Sequence, residues 1–163
     1  MKNKSVRYMT HAAMIAALYV VLTMIANAFG LAKGNIQIRF SEALTILPFF
    51  TPAAIPGLYV GCVISNIMTG AALPDILLGP IATLLGALGT WMLRKQSKWL
   101  APLPPIIANA LIIPPVLKYA YGIVPVWFSA VTVTIGEILS CGVLGMLLFF
   151  SLQRYSRVLF SHH

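Results

Sequence analysis

Apolar residues fill long runs in this chain, and polar residues are confined to short breaks between them. Cut at those breaks, the pattern predicts six helical segments, at about 8–31, 41–50, 53–69, 75–93, 101–121 and 125–152. A hydrocarbon core of about 30 Å needs about 20 apolar residues per helix. The length therefore accommodates six spans in a single domain, 1–163, and no soluble catalytic or nucleotide-binding domain. The first run is too long for a signal-peptide core and lacks a small-residue cleavage site, so it reads as a span. The second is short and irregular. From Ile36 to Gly57 the chain reads IQIRFSEALTILPFFTPAAIPG, with Arg39 and Glu42 ahead of Pro48, Pro52 and Pro56 at four-residue spacing. Charge and broken backbone inside an apolar run are expected where a segment lines a cavity. The prolines are expected to shape the turn between the second and third segments rather than to touch a ligand.

Composition sharpens this pattern. Hydrophobic residues make up 60% and charged residues only 9%, with mean hydropathy +0.91, against about 25% charged in soluble domains. The expected class is an all-α integral membrane protein. The net charge of +8 would suggest nucleic acid in a soluble chain. Here the cations lie between apolar runs, so they read as topology control. With the N-terminus inside, Lys2, Lys4, Arg7, Arg94, Lys95, Lys98, Arg154 and Arg157 are cytoplasmic, against Lys33, Arg39 and Lys118 outside. This excess predicts six spans with both termini in the cytoplasm of a prokaryotic plasma membrane. Cys62 and Cys141 lie within apolar runs and read as buried thiols, and His162 and His163 have the look of a tag remnant.

The candidate chemistry lies with the three acids, Glu42, Asp75 and Glu137. In this topology Glu42 and Asp75 stand at the outer starts of spans 2 and 4. Glu137 lies about 18 Å along span 6 from Pro125 at 1.5 Å per residue. A charge inside a span costs about 2.5–3.5 kcal/mol on insertion scales, so it faces a cavity or a partner. The plain alternatives are a helix-tying pair of Glu137 with Lys118 or Arg39, and an ordinary helix start at Leu73-Pro74-Asp75. Asn66 and Asn109 carry rigid donor–acceptor amides suited to the edge of a heterocycle, or to a bond between helices. Thr134, Glu137 and Cys141 share one helix face. Tyr59, Trp127 and Tyr121 offer rings for stacking, although the last two also suit interfacial anchors. In span 1, Ala12 and Ala16, and Ala13 and Ala17, form small-residue pairs that admit a close helix, from this chain or another subunit.

No phosphate-binding Gly-Lys loop, zinc-protease His pair or nucleophile elbow occurs. No inverted repeat is visible, which argues against a self-sufficient transporter. A non-enzymatic receptor powered from elsewhere, with no cofactor and no nucleic acid, fits best. A proton-coupled transporter using Glu137 and a lipid-acting membrane enzyme are the other classes, and the acids lie on the wrong side for the enzyme.

Thr10 to Tyr19, with its basic N-terminal tail, resembles the substrate-binding S-component of an energy-coupling factor (ECF) transporter. Gln37 to Leu44, Leu47-Pro48, Pro56 to Cys62 and Asp75 to Leu84 resemble the QueT family, and the similarity covers most of 10–149. The resemblance implies a six-helix S-component bundle that takes up a queuosine precursor, a 7-deazapurine such as preQ1, from outside. It implies docking on a transmembrane coupling subunit with two ATPase subunits beneath. The alanine motif (Ala12 and Ala16, with Ala13 and Ala17) would meet the coupling subunit, and the loop from about Gly30 to Ile38 would act as a lid. Another vitamin, such as riboflavin, thiamin or a pyridoxal-like compound, is the other ligand class. A 7-deazaguanine presents adjacent N–H donors to a carboxylate, and preQ1 adds a cationic arm that wants a second acid. Glu42 and Glu137 are expected to divide these roles. Asn66 and Asn109 would complete the polar edge, Tyr59 or Trp127 the ring face, and Arg39 would steady Glu42 or reach the carbonyl. Asp75 completes the outer acids.

Overall fold

The computed structural model describes residues 2–31 and 38–155. Lys33, Arg157, His162, His163 and most of the expected lid lie outside the described residues. All regular structure among the described residues is helical. Helix α1 spans Lys2–Ala28, a 3₁₀ helix Phe40–Phe49, α2 Ala54–Met68 and α3 Leu73–Leu93. After a short turn at Lys98–Leu100, α4 spans Leu103–Tyr121. The last rod joins α5, Val126–Glu137, through a π-helical turn at Ile138–Leu144 to α6, Gly145–Gln153.

All six predicted segments are present as helical segments, but they are not equivalent. Four stretches are long and apolar enough to cross a membrane, Asn3–Ala28, Leu73–Leu93, Lys98–Tyr121 and Val126–Gln153. Phe40–Phe49 and Ala54–Met68 are shorter. The prolines account for some of the boundaries. Pro48 lies inside the 3₁₀ helix, Pro52 in the turn after it, and Pro56 in the first turn of α2, where a missing backbone N–H costs no helix bond. Pro114 and Pro115 do not end α4, which continues to a left-handed cap at Gly122.

Long 3₁₀ runs are uncommon because their hydrogen-bond geometry is poor. This one is held by its surroundings. It packs against α1, α2, α3, α6 and the π turn, and Ser41 through Pro48 are all buried. Helix α1 supplies one wall through Ile15 and Tyr19, packed with Leu44, Leu47 and Leu58. At the far end Ile46 packs with Met146 and Phe149, and Phe49 and Phe50 stack around Phe149 at 4.9 and 4.8 Å between ring centroids.

Small residues set how closely the neighbours approach. A Cβ on Gly57 would lie 2.6 Å from the Ala12 carbonyl oxygen, and one on Gly61 would lie 3.0 Å from the Ala16 carbonyl oxygen. Ala12 and Ala16 therefore face α2 of the same chain. Ala13 and Ala17 are exposed on the other side of α1. Of the two alanine pairs, one is consumed within the fold and one is left outward. Gly86 and Gly89 play the same part for α3 against Pro105 and Pro104 of α4.

Candidate functional site

The polar core of the bundle forms where the tightest and the widest helical turns of the chain lie side by side. The 3₁₀ helix brings Glu42 inward and the π turn follows directly on Glu137. π turns recur at functional sites because they displace side chains from the regular helical register. The Arg39 backbone N–H donates to Ser140 Oγ at 3.2 Å, fixing the start of the 3₁₀ helix to that turn. A carboxyl oxygen of Glu42, one of Glu137 and the Cys141 sulfur all lie within 4.8 Å of one another.

Each acid has defined neighbours. Tyr19 donates its hydroxyl to Glu42 Oε1 at 2.5 Å. Glu42 Oε2 is buried and accepts no well-formed hydrogen bond among the described residues. The Cys141 thiol lies 3.1 Å from Glu137 Oε2 and 3.4 Å from the Glu42 carbonyl oxygen, and its single S–H serves one of them at a time. Thr45 donates to the Glu42 carbonyl at 2.6 Å. Asn109 of α4 stands beside both carboxyl groups. Glu42 is 2% exposed and Glu137 8%, so neither is solvated in the usual way. A small cleft lined by Arg39, Asn109, Ile113 and Val133 reaches Glu137.

The depth of the site differs from the sequence expectation. Glu42 was expected at the outer edge of a span. Its partner Tyr19 lies nine residues before the end of α1 at Ala28, which is about 14 Å in from that end at 1.5 Å per residue. Its other neighbours, Glu137 and Cys141, lie deep in the last rod. The short 3₁₀ helix therefore begins inside the bundle, and this is why ten residues suffice for it.

The remaining predicted residues divide. Arg39 pairs with Asp75, Nη2 to Oδ2 at 3.9 Å, rather than clamping Glu42. Asp75 sits in the first turn of α3, where a carboxylate is favoured by the helix dipole. Asn66 donates to the Asp75 carbonyl at 3.1 Å, and the glycine at 79 leaves room for it, since a Cβ there would lie 2.9 Å from Asn66 Nδ2 and displace the amide. Asn66 thus ties α2 to α3, while Asn109 alone of the two amides reaches the acids. Tyr59 is 38% exposed and Trp127 68%; Trp127 packs on Phe128. Neither ring is brought to the cluster. Lys118 lies over Tyr119 and not beside Glu137.

Tyr19 is the participant that sequence reasoning passed over. The available signal was a hydroxyl in mid-span, where no water satisfies it and a protein partner is required. Cys141, on the face of Glu137 by its spacing, bonds to the acids as well.

A curated relative described as queuosine precursor transporter QueT, from Lactococcus lactis subsp. cremoris (strain MG1363), is 38% identical over 73 residues. That match covers 45% of this chain and 43% of the relative, so the chain matches less than half of the relative's length. No solved structure matches. The family model described as QueT transporter matches residues 9–154. With that match over most of its length and several helices apolar enough to cross a bilayer, the chain is a multi-pass cell-membrane protein and belongs to the QueT transporter family.

Proposed function

We propose that this protein is the substrate-binding subunit of an ECF-type transporter and takes a queuosine precursor, a cationic 7-deazaguanine such as preQ1, from outside the cell. What supports this is the buried carboxyl pair: Glu137 lines a cleft with Arg39 and Asn109, and Glu42 behind it has one oxygen without a hydrogen-bond partner among the described residues. A deazaguanine edge offers N1–H and an amino group to one carboxylate in a bidentate pair. The aminomethyl ammonium takes the other. Asn109, with donor and acceptor on one plane, completes the edge. The named relative transports a queuosine precursor by its description, which agrees with this ligand class.

The route follows from where the cleft lies. Ile113 and Val133 are one turn further along α4 and back along α5 than Asn109 and Glu137. With both termini cytoplasmic and six membrane segments, that direction is outward. The open space there holds about one water molecule, so a bicyclic base enters only when Arg39 and the α4–α5 wall draw apart. The ion pair of Arg39 with Asp75 is the contact to be exchanged. Transport against a gradient then requires an ATP-hydrolysing partner, because the chain carries no phosphate-binding loop. The exposed Ala13 and Ala17 face of α1 is where a coupling subunit would pack.

The test is a thermal-shift and native mass-spectrometry screen of the purified protein against preQ1, guanine, riboflavin, thiamin and pyridoxal. Stabilisation by preQ1 above the vitamins is expected. Stabilisation by a vitamin alone, with none by any deazaguanine, overturns the ligand class.

A further inference from the structure

The charge inventory around the acids leads beyond ligand identity. Four charged side chains meet here, Glu42, Glu137, Asp75 and Arg39, and the single cation is 3.9 Å from Asp75. That pair balances itself. Glu42 and Glu137 remain, buried, within 4.8 Å of each other and, among the described residues, with no salt bridge of their own; Arg39 is near both but is engaged by Asp75. The groups facing them are Tyr19 from α1, Cys62 from α2, Asn109 from α4 and Cys141 from the π turn, with Arg39 ahead of the 3₁₀ helix and Asp75 of α3 on the far side of Arg39. Helix α6 contributes Gly145, Met146 and Phe149, none of which titrates. Tyrosine and thiol supply neutral donors and no positive charge. Two close carboxylates in such a setting do not both ionise; they share a proton.

We propose that the empty site holds one proton on the Glu42–Glu137 pair, and that a cationic deazaguanine binds in exchange for it, whereas a neutral analogue does not. The inference rests on the ligand class proposed above. A carboxylate accepting two parallel N–H bonds must be ionised, and so must the one that receives the ammonium. Binding the cation therefore needs both acids charged. The proton leaves to outside water, one positive charge enters, and the buried net charge is unchanged. An analogue with an uncharged arm needs only one ionised acid, and the other keeps the proton.

The linkage has a definite sign. While the pair is protonated, affinity for the cation rises about tenfold per pH unit, because one proton is released for each ligand bound. Affinity for the neutral analogue stays flat. The selectivity for cation over neutral base thus widens as pH rises, until the ligand's own ammonium deprotonates.

Two measurements test this. Infrared difference spectra of the ligand-free protein should contain a protonated-carboxyl C=O band near neutral pH that Glu137→Gln removes. Its absence in the wild type overturns the proposal whatever the ligand. Calorimetry in buffers of different ionisation enthalpy should then give one proton released per preQ1 and none per neutral analogue, with release abolished in Glu137→Gln. Equal proton counts for the two ligands also overturn the proposal. If the band is present and no deazaguanine binds, the resident proton stands and the ligand assignment fails.

Discussion

The two ends of the 3₁₀ helix are equally buried and chemically opposite. Its first half carries Ser41, Glu42 and Thr45 against Tyr19, Thr23 and Cys141. Its second half carries Ile46, Pro48 and Phe49 against Met146 and Phe149. The aromatic end is filled by rings at contact distance, and every group there is satisfied by packing. The polar end holds a carboxyl oxygen that accepts no well-formed hydrogen bond among the described residues. A buried polar atom without a partner is costly, so it persists where something from outside the chain completes it. Burial alone does not separate scaffold from site in this protein; the hydrogen-bond accounting does.

Substitutions at the two ends should separate binding from stability. The largest effect on affinity is expected from removing charge at the polar end. Glu137→Gln keeps the shape but loses the charge-assisted bond, worth about 1.5–3 kcal/mol. Affinity for preQ1 in calorimetry should fall at least tenfold, with little change in melting temperature. Phe149→Ala should invert this result. Truncating a buried Phe costs about 3–5 kcal/mol in soluble cores, and the packing part of that cost survives in a bilayer. The melting temperature should drop well below that of the wild type, while affinity measured below it is retained. A weaker effect in the same direction is expected of Gly57→Val, whose Cβ would press on the Ala12 carbonyl; overpacking of this kind costs about 1–3 kcal/mol. Tyr19→Phe should be milder at the polar end, removing one donor to Glu42 and changing affinity by several-fold. Trp127→Ala and Tyr59→Ala should leave both affinity and melting temperature nearly unchanged, since both rings lie outside the cluster. A large affinity loss in either would restore the aromatic cover that the sequence suggested.

Much of this division was legible beforehand. Six segments followed from apolar run lengths, and Glu42 and Glu137 stood out because acids are expensive in apolar surroundings. Asn109 followed from its place in a span. Depth was not legible. Glu42 follows directly on a polar break, and hydropathy cannot show that the chain folds inward before the 3₁₀ helix begins. Nor could sequence separate Asn66 from Asn109. The first is turned to Asp75 by the absence of a side chain at Gly79, a constraint that appears only when α2 and α3 are packed. The alanine pairs divided for a similar reason, since Gly57 and Gly61 supply the groove that claims Ala12 and Ala16. Tyr19 was hidden by its ordinary place in an apolar run.

The decisive comparison sets the two ends of one helix against each other. Affinity of Glu42→Gln and Phe149→Ala for preQ1 would be measured beside the wild type, each in detergent below its own melting temperature. Glu42→Gln, though folded, should lose at least tenfold in affinity, while Phe149→Ala should bind as the wild type does. A folded Glu42→Gln protein with wild-type affinity would contradict this.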